Sequence, residues 1–158
     1  MVEIPQASRP YMPDYGVPKT RKGLLDWSHV AERMQNARHY WVVTVGDGGQ
    51  PHAVPISGLW VENAFYFGGG SQARWIRDMT ANPQVAVHLE SADDVIMIEG
   101  VAEYLADPSH PIAKRLDEAS QAKYQMPSGT PCWMLHPKLA FAWNKPLANA
   151  TRWVFEEK

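Results

Sequence analysis

An α+β antiparallel barrel is the fold class this sequence predicts, and three observations predict it. Between Tyr40 and Gly69, three segments rich in β-branched and aromatic residues follow one another through turns alone: YWVVTV, PHAVPISGLWV and AFYFGG. Such residues fit a pleated, half-buried surface, and short polar turns between them make a β-meander. Helical patterns occur only around groups of strands, so the strand–helix–strand alternation of a doubly wound parallel sheet does not run through the chain. The 158 residues, 45% of them hydrophobic, suffice for one domain with a sizeable core.

Taken in order, residues 1–23 carry Pro5, Pro10, Pro13 and Pro18 with Gly16 and Gly23. Proline lacks the backbone donor that helices and ladders need, so this segment reads as an extended arm ahead of a domain spanning 24–158. Tyr11, Met12, Tyr15 and Val17 have little use in a disordered tail, which predicts an arm lying across the domain or a partner subunit. Asp26 or Ser28 caps a helix to about Arg38, with Val30, Met34 and Ala37 at helical spacing. Tyr40–Val45 is a strand, Gly46–Gln50 a hairpin turn built on Asp-Gly, and Pro51–Val61 a second strand. After Glu62-Asn63, a third strand (Ala64–Gly69) runs through a Gly-rich loop, Gly68–Ser71, into a helix over 72–82 that Pro83 ends. Gln84–Glu90 and Val95–Leu105 are strands around a polar turn, with Gly100 marking a bulge. A helix from about Ile112 to Tyr124 and a loop over Met126–Pro131 precede the strands WMLHP and KLAFAWN and a last strand, Thr151–Phe155.

Composition removes several function classes. Lys+Arg 15 against Asp+Glu 17, a net charge of −2 and no basic run leave no electrostatic footprint for nucleic acid. No stretch approaches the roughly 20 apolar residues of a membrane span, and the proline-rich start has no signal-peptide apolar run. The single Cys132 allows no intrachain disulfide, favours a reducing compartment and reads as a small buried residue, so a cytoplasmic protein is expected. His29, His39, His52, His88, His110 and His136 show neither HxH nor HExxH spacing, and no GxSxG elbow occurs, so neither a metal site nor a serine hydrolase is expected. Seven Trp and six Tyr are many for this length; most fill the core, and aromatic rings also wall ligand sites.

Three segments carry candidate chemistry. Pro55 cannot donate to a ladder, so its strand belongs at a sheet edge or beside a bulge. There the backbone of Val54, Ile56, Ser57 and Gly58 can bond something planar, with His52 and Ser57 adding polarity, or the strand is merely bent. Alternation puts His52, Val54 and Ile56 on one face and Ala53 and Ser57 on the other. The second segment, GGGSQARWIR, is a glycine-rich turn opening a helix. Its backbone N–H groups and helix end suit an anion, with Arg74 and Arg77 available for charge-assisted bonds; the plain alternative is a solvated helix. The third is Arg152, set between Thr151 and Trp153 in an aromatic strand. It is either a surface ion-pair former or part of a wall over a ligand or a dimer seam.

In this order the motifs resemble the pyridoxamine 5′-phosphate oxidase-like split-barrel superfamily, nearest its flavin- and deazaflavin-dependent oxidoreductases. The matching stretches are RPYMPDYGVP, GLLDWSHVAERM, YWVVTVGDGGQPHAVPISGLW, YFGGGSQARWIRDMTANPQVAVHLES, DDVIMIEGVAE and TRWVF, running from residue 9 to residue 155. The resemblance implies a six-stranded antiparallel split β-barrel with two or three peripheral helices, working as a homodimer with sites in clefts between subunits. It implies that the isoalloxazine-type ring of coenzyme F420 or FMN lies against the strand from His52 to Trp60, lined by Val54, Pro55, Ile56 and Ser57. Gly69, Gly70, Ser71 and Arg74 then hold the phosphate, Trp75 flanks it, and Arg152 and Trp153 are partner-subunit or structural contacts. Many relatives carry a lysine two positions before the equivalent of Arg74; here Gln72 stands there, so one phosphate cation is missing.

On this reading reduced F420, with FMN as the alternative, delivers a hydride to a small electron-poor acceptor such as an enone or quinone. The cofactor carries the hard chemistry, and Tyr66, His52 or Tyr124 can supply a proton where one is needed. Two rivals stay open: a non-catalytic flavin, haem or tetrapyrrole binder, for which His52, His88 and His136 are the available imidazoles, and a structural dimer with an empty cleft.

Overall fold

The computed structural model describes residues 2–155. Helix α1 (Trp27–Asn36) is followed by β1 (Tyr40–Val45), β2 (Pro51–Ile56), β3 (Leu59–Val61) and β4 (Ala64–Phe67). Helix α2 (Arg74–Ala81), β5 (Gln84–His88), β6 (Val95–Leu105), α3 (Ala113–Tyr124), β7 (Cys132–Trp143), the one-turn α4 (Pro146–Asn149) and β8 (Thr151–Val154) complete the chain. The strands form one antiparallel sheet in the order β2-β1-β5-β6-β7-β4-β3, with β8 pairing the C-terminal half of β7. The result is a curled antiparallel sheet with helices around it, consistent with a split barrel.

Two segmentations differ from the sequence expectation and offset each other, and the described residues hold eight strands, more than the six the resemblance implies. The stretch Pro51–Val61 is two strands, because Ser57 and Gly58 break it: β2 pairs β1 at one end of the sheet and β3 pairs β4 at the other. Those two residues therefore tie the sheet's ends together. A side chain is excluded at Gly58, where a Cβ would lie 2.3 Å from the Phe65 ring. Conversely, WMLHP and KLAFAWN form the single strand β7. Pro137 is tolerated there because it faces Gly100 at a register shift between Glu99 and Gly100, the expected bulge.

The core lies inside the curl. Val30 and Met34, four residues apart on α1, are fully buried, as are Tyr40, Val42, Val87 and Ala140 on the strands. The hairpin turn after β1 places Gly48 and Gly49 at φ 75° and 81°, the left-handed region that Asp-Gly-Gly was read to supply. A second, smaller cluster, including Leu59, Tyr66, Leu105 and Leu116, lies between α3 and the outer side of β3 and β4.

The N-terminal arm lies along its own chain's C-terminal segment. Ser8 bridges Arg152 antiparallel, and the Arg9 guanidinium donates to the carbonyls of Ala150 (2.7 Å), Thr20 (2.9 Å) and Ala148 (3.1 Å). Arg9 thereby joins both ends of the arm to the turn before β8. The last residues of the expected domain, 156–158, lie outside the described residues.

Candidate functional site

Strand β2 ends the sheet, pairing only β1 among the described strands, so Pro55, opposite Trp41, costs no ladder bond on its open side. Alternation then divides the expected site residues. Ile56, Val54 and His52 pair with the inner residues Tyr40, Val42 and Thr44. Ile56 is buried and Val54 packs on the core, so their side chains serve the interior and only their backbone is left for a ligand. Ala53, Pro55 and Ser57 are exposed on the other face.

Helix α2 packs against β1 and β2, which brings the glycine-opened loop to the same end of the sheet. Gly69 lies under the Trp75 ring, where a Cβ would stand 2.6 Å from it, while Gly68 and Gly70 have nothing within 4 Å of that position. Ser71 and Arg74 are exposed and Trp75 is buried. Ala73 occupies the N-cap position and supplies no side-chain cap. The first amide N–H groups of α2 therefore have no side-chain cap, the arrangement that accepts an anion. The Arg74 Nε lies 3.7 Å from the Asp78 carboxylate, so its charge is partly answered within the helix. Asp78 in turn lies against the β1–β2 turn, where a Cβ at Gly46 would come within 3.2 Å of its Oδ1. An open loop, an uncapped helix and a half-exposed arginine fit a phosphate; Gln72 adds no charge.

Arg152 sits at the far side of the same sheet. Pairing follows one row from Pro55 to Trp41, His88, Met97, Phe141 and Arg152, each directly opposite the next. Directly opposed residues share a face, so all six point outward. The Trp41 and His88 rings stack at 6.4 Å with planes 10° apart. At about 4.8 Å per strand, the row's ends are roughly 24 Å apart along the sheet, so one protomer does not bring Pro55 and Arg152 together. The Arg152 Nε is 3.4 Å from Ser8 Oγ, and Trp153, buried, packs edge-on against Trp27 at 5.3 Å.

Sequence reasoning missed Lys123. Its ammonium donates to Tyr40 Oη (2.7 Å) and the Gly58 carbonyl (3.2 Å), between the Tyr40 and Tyr124 rings. Burial there, and then the neighbouring Arg38 charge, lowers the lysine to about 8. The Tyr124 hydroxyl donates to the Arg38 carbonyl at 2.6 Å and accepts from the Gly58 amide at 3.2 Å. Lys123 and Tyr124 thus hold the Ser57–Gly58 connection in place. The signal was available: Leu116, Ser120 and Lys123 share one face of α3 by spacing.

Of the remaining groups named from sequence, His136 Nε2 bonds the Glu103 carboxylate. His88 Nδ1 is 2.7 Å from the Leu89 carbonyl. Burial raises the Cys132 thiol to about 11, which suits an inert core position. Among the described residues no cluster of three metal-binding side chains occurs, and no helix is long and apolar enough to cross a membrane.

The sequence profile of the pyridoxamine 5′-phosphate oxidase family matches residues 27–144, most of the chain, and the protein belongs to that family. Solved structures agree on the fold. A conserved hypothetical protein from Mycobacterium tuberculosis superposes with TM-score 0.68 at 16% identity, covering 83% of this chain and 92% of its own. A heme binding protein from Mycobacterium smegmatis gives TM-score 0.58 at 16% identity, over 77% of this chain and 55% of its own. An FAD binding protein from the same organism gives 0.55 at 15% identity, over 84% and 98%. No curated protein matches the sequence.

Proposed function

We propose that the protein is a homodimeric oxidoreductase that binds coenzyme F420, or alternatively FMN, and reduces a small electron-poor acceptor such as an enone or quinone. The observation that carries this reading is the outward row from Pro55 to Arg152, apolar through its middle apart from His88 and left partly exposed among the described residues. Two copies packed through this face about a two-fold axis parallel to the strands set Arg152 of one protomer opposite Pro55 of its partner. The groups separated across one sheet then meet across the seam.

When bound, the cofactor supplies the hydride. The chain's own residues bind and orient it and keep water out. Gly69, Gly70, Ser71 and the first turn of α2 take the phosphate, with Arg74 released from Asp78 to join them. Pro55, Ser57 and the backbone of Val54 and Ile56 support the ring, and Lys123 and Tyr124 keep the Ser57–Gly58 backbone rigid beneath it. The membership in this family and the FAD-binding protein of the same fold support the cofactor class; the partly answered charge of Arg74 leaves room for either phosphate-bearing cofactor.

The test mixes the purified protein with F420, FMN and haem in turn and follows fluorescence or absorbance. Tight F420 binding with enone-dependent reoxidation of the reduced cofactor is the expected outcome, or the same behaviour with FMN. Binding without turnover makes the protein a carrier, and haem as the sole ligand or no ligand at all overturns the reading. Arg74→Ala should weaken the phosphate-bearing cofactor by roughly 1.5–3 kcal/mol, the range for a hydrogen bond to a charged group. An unchanged dissociation constant removes Arg74 from the site.

A further inference from the structure

A groove of about 840 Å³ lies away from β2 and α2, between the N-terminal arm and the outer side of β4, β6 and β7. Its volume falls in the range of small-molecule sites, roughly 300–1,000 Å³. The bulge at Gly100 builds one wall. In a regular strand His136, Pro137 and Lys138 would alternate between faces, yet all three line the groove, because the extra residue opposite Gly100 re-aims them. Only glycine allows this, since a Cβ at position 100 would lie 2.1 Å from the His136 carbonyl oxygen. Val2 and Pro5 of the arm, Val101 and Met134 supply apolar wall, and Glu3, Gln6 and Glu62 add polar groups.

Tyr66 is the buried polar residue of the lining, set among the more exposed Glu3, Gln6, Glu62, His136 and Lys138. It is only 7% exposed, it lines the groove, and its hydroxyl bonds no described residue and is not among the sealed, unpartnered atoms. A buried hydroxyl without a partner is costly, and one that opens into a cavity is satisfied by water or by a ligand. We propose that this groove is a binding site for a compact ring compound with an apolar face and a carbonyl oxygen, which accepts a hydrogen bond from the Tyr66 hydroxyl. Burial, and then nearby Cys132, holds the Tyr66 phenol above its ordinary value, so it remains a donor at neutral pH. A hydrocarbon face on the ligand finds dispersion contacts on Val2, Pro5, Val101 and Met134, while polar side chains line the rest of the groove. The site stands on this chain's residues alone and is independent of the cofactor reading.

Cofactor-free protein separates the two. 1-Tetralone, a bicyclic ketone, and tetralin, the same skeleton without the oxygen, are titrated and followed by ligand-observed NMR. The expected result is that the ketone binds about five-fold more tightly than the hydrocarbon, the worth of one hydrogen bond of about 1 kcal/mol. Tyr66→Phe should abolish that preference while leaving tetralin binding unchanged. Val101→Trp, which fills the groove from a half-buried wall position, should remove binding of both. Equal affinity for the two compounds, a preference that survives Tyr66→Phe, or no binding of either overturns the proposal. Folding of each variant is checked by its circular dichroism. Failure of F420 and FMN to bind would overturn the oxidoreductase reading and leave this result standing.

Discussion

Along β1, Tyr40 and Val42 are fully buried, while Trp41 between them is 36% exposed. The same division runs through the whole sheet. On the inner face Val87, Ile98, Ala140 and Trp153 are each at most 1% exposed, whereas on the outer face His88, Met97, Phe141 and Arg152 remain partly exposed. Both faces are largely apolar. The inner one is closed by the curl of the sheet and by α1, so its hydrophobic surface leaves water within a single chain. The outer one has no covering element among the described residues over the row from Trp41 to Phe141. An apolar sheet face left open in the chain is what an interface between copies requires.

Three variants sharpen or break this contrast. The largest effect belongs to the inner face: Trp153→Ala should cost about 3–5 kcal/mol, because it removes a fully packed ring against Trp27 and leaves a cavity. Urea unfolding measures it, and a loss under about 1 kcal/mol would show that the interior is not closed around Trp153.

On the outer face, Trp41→Glu together with Phe141→Glu should convert a dimer into a folded monomer. Neither side chain belongs to the buried core, so circular dichroism should be preserved while sedimentation equilibrium reports the smaller mass. A wild-type protein that sediments as a monomer, or a double variant that still dimerises, would refute the assignment of this face.

The smallest effect tests the clamp at the sheet's closing point. Lys123 releases its proton at about 8 in the folded chain against 10.5 for the free group. Between those values the unfolded chain binds more protons, so the Lys123 contribution makes stability rise with pH across that window. The cost of burying the ammonium is fully present below about 8 and fades above it. In Lys123→Met that slope is absent, so the stability difference, variant minus wild type, should fall as pH rises from about 7 to about 10. Comparing the two proteins at each pH cancels the opposing titration of Cys132, which ionises less readily when folded. A pH-independent difference would mean the Lys123 ammonium stays solvated.

Much of the fold was legible because the signals are local. The alternation of YWVVTV, the Asp-Gly turn, the Gly100 bulge and the Pro83 stop each depend on a few neighbouring residues, and each element lies where the sequence placed it. Errors fell where distant contacts decide. Gly58 hinted at an interruption, but that Phe65, on another strand, packs against it and leaves no room for a side chain is a contact only the fold supplies. Pro137 argued for a strand end, and only the bulge opposite it makes a continuous β7 possible. The candidate site shows the same limit. Pro55 was readable as an edge residue and Gly69–Arg74 as a helix-opening loop, but Lys123 reaches Gly58 from a helix sixty-odd residues away.

What the sequence determined by itself was the inventory: which segments are strands and helices, which glycines turn or bulge the chain, and that an antiparallel α+β barrel results. Those follow from side-chain shape and backbone freedom within a few residues. The tertiary structure decided which outward residues stand in one row, that Pro55 and Arg152 share a face yet lie a sheet's width apart, and that Tyr66 opens into a groove. Register, curvature and closure come from pairings between segments far apart in the chain, and no local pattern encodes those distances.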